Sequence, residues 1–331
     1  MKKLITSILF AVAVLALMTS SSKKPVTLFI IGDSTAANKD ISGDKQERGW
    51  GMELQGFFTE DVRVENHARN GRSSKSFLDE GLWKKVYDRI QPGDYVFIQF
   101  GHNDEKPSAD RHTDPGSTFD DNLRFYVNKT RKKGGIPVLL NAVVRRNFYL
   151  KPEQQDDDEL LRNTTYTGEK VNSDTLVDTH GAYLFPPRYI AKELGCVFID
   201  ANKITYDIEQ GLGVEGSRRL HMWFKPGEHP SAPDGRQDNT HYNVYGAHVV
   251  ASAMADAISR QIPALGKFVR HYDYIVADNG TGNYMTPQAA VDAVPDGTKT
   301  TVLILHGSFA KPVVPKSKRI KFVFWGDAKW K

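Results

Sequence analysis

Cysteine is almost absent from this sequence: Cys196 is the only one among 331 residues. A single thiol cannot form a disulfide within the chain, so no such bond can stabilise the fold. Cys196 lies in the apolar run "LGCVFID", where a free cysteine usually packs as a small apolar side chain. We therefore interpret it as a core residue rather than as a nucleophile.

Long hydrophobic runs are also missing, except at the amino terminus. The first residues, "MKKLITSILFAVAVLALMTSSSKK", combine two lysines, an apolar run of about 14 residues and small polar residues. This pattern is typical of a secretory signal peptide. The run is short for a membrane-spanning helix, although an uncleaved anchor is the alternative. We predict a signal peptide over residues 1–24 and a secreted or periplasmic protein that binds no membrane after signal removal.

The sequence lacks a large excess of charge of either sign, since its net charge is only +4. Residues 1–24 carry four Lys and no acids, and residues 266–331 carry ten Lys or Arg against five acids. That leaves 30 basic and 35 acidic side chains in residues 25–265. Because nucleic-acid binding depends on clustered positive charge, we predict no nucleic acid partner.

Internal repeats and low-complexity tracts are absent, and apolar runs alternate with amphipathic stretches along most of the chain. Strand-like runs such as "VTLFII", "DYVFIQF" and "IPVLLNAVV" are separated by helical patterns such as "SKSFLDEGLWKKVYDRI". The segment "HYNVYGAHVVASAMADAISRQI" is predicted to be a closing helix. This alternation predicts an α/β fold with a parallel sheet and helices on both faces. The acidic run "EQQDDDE" matches no metal-ligand spacing and is interpreted as a solvated loop.

The pattern changes after about Leu265, where short β-rich runs, Gly- and Pro-containing turns and surplus lysines follow. We place a domain boundary between Gly266 and Tyr272. It separates a main domain, residues 25–265, from a β-rich tail, residues 266–331.

Polar motifs follow several of the predicted strands. Ser34 ends "GDS" after the first strand, Gly71 lies in "NGRSS" after the second, and Asn103 lies in "GHND" after the third. Asp238 and His241 lie in "DNTH", before the predicted closing helix. Because the carboxyl ends of parallel strands meet at one edge of a sheet, we expect these motifs to converge there.

Together these residue types suit acyl transfer. A serine hydroxyl needs a base such as histidine, and that base needs a carboxylate to orient it. Asp238 and His241 are three residues apart, so one turn brings them to the same side. The backbone N–H groups of Ser34 and Gly71, with the Asn103 amide, would stabilise an oxyanion. Each motif alone is better explained as a turn or a helix cap, and only their joint occurrence favours a site.

The motifs resemble the consensus blocks of the SGNH, or GDSL-type, hydrolases. More closely, "GDSTAAN", "RGWG", "NHARNGRSSKSF", "QFGHNDEK" and "DNTHYNVYGA" resemble the rhamnogalacturonan acetylesterases of carbohydrate esterase family twelve. The resemblance implies a flavodoxin-like three-layer sandwich with a five-stranded parallel sheet. It also implies Ser34 as nucleophile, Asp238 and His241 as its partners, and Gly71 and Asn103 in the oxyanion hole. Acyl transfer by these residues requires no metal or organic cofactor.

The tail has a resemblance of its own. "YIVADNGTGNYMTPQAAVDAVPDG" and "VVPKSKRIKFVFWGD" are similar to the opening coil of pectin methylesterases, which are right-handed β-helices. That family's catalytic groups lie far beyond this coil, so the resemblance implies an incomplete fragment without esterase activity. A single coil has no neighbouring coil to cover its faces. We therefore expect the tail to dock on the main domain or to be loosely ordered.

Four side chains are candidates for contact with an acidic sugar. Arg145 and Arg146 follow the fourth strand, and guanidinium groups suit carboxylates, although solvated arginines are the alternative. Trp50 and Trp223 could offer flat faces to a sugar ring or pack in the core. The Pro- and Gly-rich segment 221–237 is predicted to form a wall or lid.

We therefore predict a monomeric serine esterase that removes O-acetyl groups from pectic polysaccharide, with rhamnogalacturonan as the substrate that the resemblance implies. Two alternatives remain open. One is another SGNH hydrolase, acting on acetyl-xylan, a lipid or a thioester. The other is a non-catalytic polysaccharide-binding module that keeps the same fold.

Overall fold

The computed structural model describes residues 24–150 and 170–331. The predicted signal peptide, apart from Lys24, and the acidic run "EQQDDDE" lie outside the described residues. Within these two ranges, no helix is both long and apolar enough to cross a membrane.

A five-stranded sheet forms the centre of the main domain, and all of its neighbouring strands are parallel. Its strands, in spatial order, are β3 Val62–Asn66, β1 Val26–Gly32, β4 Tyr95–Gln99, β5 Ile136–Leu140 and β6 Val197–Ile199. This is the strand order of a flavodoxin-like fold. The predicted five-stranded parallel sheet is confirmed.

Helices cover both faces of this sheet. They are α1 Trp50–Glu53, α2 Ser74–Asp79, α3 Leu82–Tyr87, α4 Thr118–Lys132, α5 Pro186–Leu194, α6 Ala201–Ser217, α7 Val244–Gln261 and α8 Pro263–Gly266, with short 3₁₀ turns at Ser42–Asp44, Leu54–Phe57, Gly181–Leu184 and Arg218–Leu220. Alternate residues of β1 point to opposite faces. Leu28 and Ile30 pack in the cluster that contains α7, whereas Phe29 and Ile31 pack with α2 to α5. The result is the predicted three-layer sandwich.

Two helix boundaries differ from the sequence prediction. The pattern "SKSFLDEGLWKKVYDRI" is not one helix, because Gly81 adopts a left-handed conformation with φ of 69° and separates α2 from α3. The closing helix begins at Val244 rather than at His241. Asn243 caps it by accepting a hydrogen bond from the backbone N–H of Gly246, so the segment before it is free to form a strand.

That strand belongs to a small antiparallel sheet that the sequence did not predict. It contains β2 Glu47–Arg48, β8 Arg236–Asn243 and β7 His221–Phe224, in that spatial order. The "DNTH" motif therefore lies in β8, which leads directly into α7.

The tail forms two further parallel sheets. One contains β12 Arg319–Phe324, β10 Lys299–His306 and β9 Tyr274–Ala277, and the other contains β11 Ser308–Phe309 and β13 Lys329–Trp330; α9 Pro287–Ala293 precedes β10. Ile275 and Leu303 of the tail pack in the same apolar cluster as Phe57 and Phe58 of the main domain. Of the two arrangements expected for the tail, the structure has the docked one. Its identity as a pectin methylesterase-like fragment stays a prediction.

Candidate active site

The turn that carries Ser34 is held by hydrogen bonds from behind. Asp33 Oδ1 accepts from the backbone N–H of Thr35 at 2.9 Å and from Thr35 Oγ1 at 2.7 Å. Gln99, at the end of β4, donates to Thr35 Oγ1 at 3.0 Å and accepts from Trp50 Nε1 at 2.9 Å. Ser34 thus follows β1 on a fixed turn at the carboxyl edge of the sheet.

Ser34, His241 and Asp238 are in direct contact. Ser34 Oγ lies 2.8 Å from His241 Nε2, and His241 Nδ1 lies 3.0 and 3.1 Å from the two carboxylate oxygens of Asp238. The contact does not depend on a helical turn, as the sequence spacing suggested. Instead, Asp238 Oδ1 accepts from the backbone N–H groups of Thr240 and His241, which turns the imidazole back toward the carboxylate.

The loop around Gly71 lies next to the end of β1. The backbone N–H of Arg69 donates to the carbonyl oxygen of Gly32 at 2.9 Å, and Asn103 Nδ2 donates to the carbonyl oxygen of Arg72 at 3.2 Å. Gly71 has a φ of 72°, which glycine adopts without strain. The backbone N–H groups of Ser34 and Gly71 have no acceptor among the described residues. These groups, with the Asn103 amide, are available to an oxyanion.

Asp104 fixes the "GHND" loop beside the Gly71 loop. Its carboxylate accepts from the backbone N–H of Ser74 at 3.0 Å, from Ser74 Oγ at 2.5 Å, from the N–H of Gly101 at 3.1 Å and from Thr113 Oγ1 at 2.8 Å. Burial raises the pKa of Asp104 to about 6, although its hydrogen bonds act in the opposite direction. Asp104 therefore anchors the loop that presents Asn103.

Arg236 and Glu47 are site residues that the sequence reasoning missed. Arg236 Nη2 donates to Asp238 Oδ2 at 2.6 Å and to Glu47 Oε2 at 2.7 Å. Arg236 lies two residues before Asp238, which places both on one side of a strand, but the sequence did not predict that strand. Glu47 has no comparable signal, because β2 is only two residues long.

Arg145 is one of the predicted substrate residues, but its guanidinium group is engaged within the protein. It forms an ion pair with Glu105 and donates to Thr179 Oγ1 at 3.0 Å. Glu105 also contacts His180 Nδ1 at 3.0 Å. The side chain of Arg145 is only 9% exposed. The prediction that it binds substrate is therefore not supported, and neither is the alternative of a solvated side chain.

His102 lies in the same cluster. Its ring packs edge-on against that of His180, with centroids 4.4 Å apart. Both ring nitrogens are buried without a hydrogen-bond partner in the described ranges. Burial and the nearby cationic groups hold the pKa of His102 well below its usual value, so the ring is neutral.

Trp50 and Arg146, also predicted to contact substrate, are fully buried. Trp50 supports the Ser34 turn through Gln99. Arg146 Nε donates to Ser217 Oγ at 2.9 Å, and its Nη1 donates to Asn239 Oδ1 at 3.1 Å. Trp50 therefore follows the core-packing alternative, and Arg146 is neither at a surface that a sugar could reach nor solvated. Trp50 and Arg146 support the two segments that carry Ser34 and "DNTH".

Trp223 is the one predicted substrate residue that keeps partial exposure. Its Nε1 donates to Asn239 Oδ1 at 2.8 Å, and the guanidinium groups of Arg146 and Arg218 lie 5.2 and 4.9 Å from a ring centroid. His221, at the start of the same strand, is buried against Glu209.

The described ranges contain no cluster of three or more His, Cys, Asp or Glu side chains that could hold a metal ion. They do contain the Ser34 hydroxyl, the His241 imidazole and the Asp238 carboxylate, each in contact with the next. The backbone N–H groups of Ser34 and Gly71 have no acceptor among the described residues. A flavodoxin-like sheet with this set at its carboxyl edge has the architecture of the SGNH class of esterases.

Comparison with known proteins gives the family. Residues 30–249 match the GDSL-like lipase/acylhydrolase family, and the chain belongs to it. The protein is therefore a carboxylic ester hydrolase. It is 37% identical over 236 residues to the rhamnogalacturonan acetylesterase RhgT of Bacillus subtilis, covering 71% of this chain and 90% of that protein. A rhamnogalacturonan acetylesterase of Emericella nidulans is 26% identical over 266 residues, covering 80% of this chain and 97% of that protein.

A solved structure agrees on the fold. The crystal structure of the Bacillus subtilis protein YxiM aligns with a TM-score of 0.56 at 21% identity, covering 72% of this chain and 57% of that one. At this identity the likeness concerns the fold alone.

Proposed function

We propose that this protein removes O-acetyl groups from an acetylated pectic polysaccharide, with rhamnogalacturonan as its substrate. The observation that carries the chemistry is the 2.8 Å contact between Ser34 Oγ and His241 Nε2, with Asp238 on the other ring nitrogen. The two relatives named as rhamnogalacturonan acetylesterases support the substrate class.

The proposed reaction proceeds through an acetyl-enzyme. Ser34 Oγ attacks the acetyl carbonyl carbon while His241 takes the hydroxyl proton. The oxyanion accepts hydrogen bonds from the N–H groups of Ser34 and Gly71 and from the Asn103 amide. The carbon–oxygen bond to the sugar then breaks, and His241 returns the proton to the leaving sugar hydroxyl.

Water completes the cycle. His241 takes a proton from the water that attacks the acetyl-Ser34 ester. The second oxyanion then collapses, the bond from the carbonyl carbon to Ser34 Oγ breaks, and His241 gives that proton to Ser34 Oγ as acetic acid leaves and ionises to acetate. Throughout, Asp238 holds the imidazole in the tautomer that presents Nε2 to Ser34 and stabilises its protonated form.

The place of action is part of the proposal. The lysines, short apolar run and small polar residues of residues 1–24 favour export as a secreted or periplasmic protein. A monomer suffices for this proposal, because Ser34, His241 and Asp238 all come from one chain.

The test is acetate release from a panel of acetylated pectins, acetylated xylans and small esters, with a Ser34→Ala control. We expect release from rhamnogalacturonan to exceed release from xylan, and Ser34→Ala to lose at least about three orders of magnitude in turnover while it keeps its fold. Preference for xylan, lipid or thioester substrates would overturn the substrate class. A wild-type protein that binds pectin fragments without hydrolysing p-nitrophenyl acetate would overturn catalysis itself.

A further inference from the structure

Ion pairs of alternating sign connect the triad carboxylate to the loop before Gly71. Arg236 bridges Asp238 and Glu47 through one nitrogen, at 2.6 and 2.7 Å. The other carboxylate oxygen of Glu47 lies 2.8 Å from Lys39 Nζ, and Lys39 donates to Asn70 Oδ1 at 2.8 Å. One carboxylate, that of Glu47, therefore contacts the cations on both sides of the site.

These pairs are sheltered from solvent. The side chains of Lys39, Glu47 and Arg236 are 4%, 21% and 24% exposed. Surface pairs contribute little because water and salt screen them, whereas sheltered charges are screened much less. Removing one charge from such a set therefore changes the electrostatic environment of its neighbours.

The strand register brings Glu47 close to the proposed base. Glu47 pairs with Asn243 across β2 and β8, so it is diagonal to His241 on the adjacent strand. A diagonal neighbour is within reach of a long side chain. Burial opposes the charge of Glu47, but His241, Lys39 and Arg236 outweigh it and lower the pKa of Glu47 to about 2. Glu47 is therefore ionised at neutral and mildly acidic pH.

The charged and titratable groups around His241 come from four parts of the fold. They are Asp238 and Arg236 of β8, Glu47 of β2, Asp33 of the Ser34 turn and His102 of the "GHND" loop. His102 is neutral, and burial raises the pKa of Asp33. The charges of Glu47 and Arg236 can be changed without replacing Ser34, His241 or Asp238.

We propose that Glu47 is a positioning residue for the esterase reaction, a role that rests on the proposed function. Through Arg236 it orients the Asp238 carboxylate, and through Lys39 it orients Asn70 next to Gly71. Its negative charge also stabilises the imidazolium that forms on His241 in the transition state. The Glu47 carboxylate thus holds both Asp238 and the loop that contains Asn70 and Gly71.

The test is the pH dependence of kcat/KM for p-nitrophenyl acetate, whose acid limb reports the titration of the base in the free enzyme. Glu47→Gln keeps the shape and removes the charge, so the limb should move to lower pH by at least about 0.5 unit. Arg236→Met removes a cation, so the limb should move to higher pH by a similar amount. Arg236→Lys keeps the charge and should leave the limb near the wild-type position. Glu47→Gln should also lose about tenfold in kcat/KM at the optimum, from misplacement of the groups it orients.

The controls separate this inference from a structural role and from the proposed function. Glu193→Gln breaks the exposed Arg124–Glu193 ion pair. It should change neither the acid limb of the pH profile nor kcat/KM at the optimum. If Glu47→Gln and Arg236→Met fold but their limbs do not move in opposite directions, Glu47 has no such role. If Ser34→Ala keeps full activity, the proposed function fails, and this inference fails with it. If Ser34→Ala is inactive, the positions of the acid limbs in the Glu47→Gln and Arg236→Met profiles test this inference alone.

Discussion

The side-chain amide of Asn103 carries two N–H groups, and one of them donates to the carbonyl oxygen of Arg72. This bond fixes the orientation of the amide beside the Gly71 loop and leaves the second N–H group for a ligand. Asp104, the next residue, fixes the loop because its carboxylate accepts hydrogen bonds from Ser74, Gly101 and Thr113. At the scale of single residues, the donor at Asn103 is therefore placed before any substrate arrives.

Replacing Asn103 with alanine should remove one donor from the proposed oxyanion hole. We expect turnover on p-nitrophenyl acetate to fall by about two to three orders of magnitude, as is typical of oxyanion-hole donors. Steady-state kinetics measure the change, and a thermal melt shows whether the fold is intact. A folded Asn103→Ala protein with wild-type turnover would exclude Asn103 from this role.

Glu105 should make stability depend on pH. Burial opposes its charge, but His180 and Arg145 outweigh it and lower the pKa of Glu105 from 4.5 to about 2. A carboxyl group whose pKa is depressed by folding stabilises the protein above its unfolded pKa and loses this contribution as pH falls through its folded pKa. The contribution is therefore present at pH 6 and lost between about pH 4.5 and 2.

The measurement is the free energy of unfolding of wild type and Glu105→Gln at several pH values. We expect the variant to be less stable by up to about 3 kcal/mol near pH 6, and by much less near pH 2.5. The exposed Glu193→Gln variant should show almost no difference at either pH. A gap for Glu105→Gln that stays constant across this range would contradict the assignment.

At the scale of elements, the antiparallel sheet of β2, β8 and β7 decides where His241 lies. Asn243 connects α7 to β7 of this sheet and to the 3₁₀ turn Arg218–Leu220 before it. Its side chain caps α7 at Gly246, and its amide donates to the carbonyl oxygens of Arg219 and His221 at 2.9 and 2.8 Å. One side chain therefore sets both the start of the helix and the end of the strand.

Asn243→Ala should lower the free energy of unfolding by about 1–2 kcal/mol, because a helix cap and two further hydrogen bonds are lost. Urea denaturation measures this difference. Asn243→Asp keeps the capping oxygen but not the amide donors, so it should recover part of the loss. An alanine variant as stable as wild type would mean that water replaces these bonds without cost.

At the scale of the whole molecule, the tail is part of the packed structure. Ile275 is fully buried in the cluster that includes Phe57 and Phe58, and the backbone N–H of Gly326 donates to Glu60 Oε1 at 2.6 Å. The tail also has a small apolar cluster of its own, around Val276, Val302 and Ile304. Its contact with the main domain is therefore specific, although the triad contacts lie entirely in the main domain.

Ile275→Asp should release the tail from the main domain, since a buried carboxylate in this cluster has no partner. We expect early proteolytic cleavage between residues 266 and 274, with activity on p-nitrophenyl acetate largely kept. Val313→Asp is the matched control, because Val313 is 77% exposed. Equal resistance of both variants to protease would show that the tail does not depend on this contact.

The sequence alone determined the order of the motifs and their placement after successive strands. Strand alternation and helical periodicity are local patterns, so β1, β4, β5 and the two helical layers could be predicted from them. The topology of a parallel sheet then brought Ser34, Gly71 and Asn103 to one edge. For the same reason, the prediction did not depend on knowing how any side chain packs.

The tertiary structure decided everything that depends on long-range partners. Trp50, Arg145 and Arg146 have the chemistry of sugar-binding residues, but buried partners occupy them, and no local pattern reveals a partner dozens of residues away. Glu47 shows the converse, since 191 positions separate it from Asp238 and only the pairing of β2 with β8 brings them to the same arginine. Packing couples distant segments of the chain. It therefore determines which polar residues support the site and which remain available to a ligand.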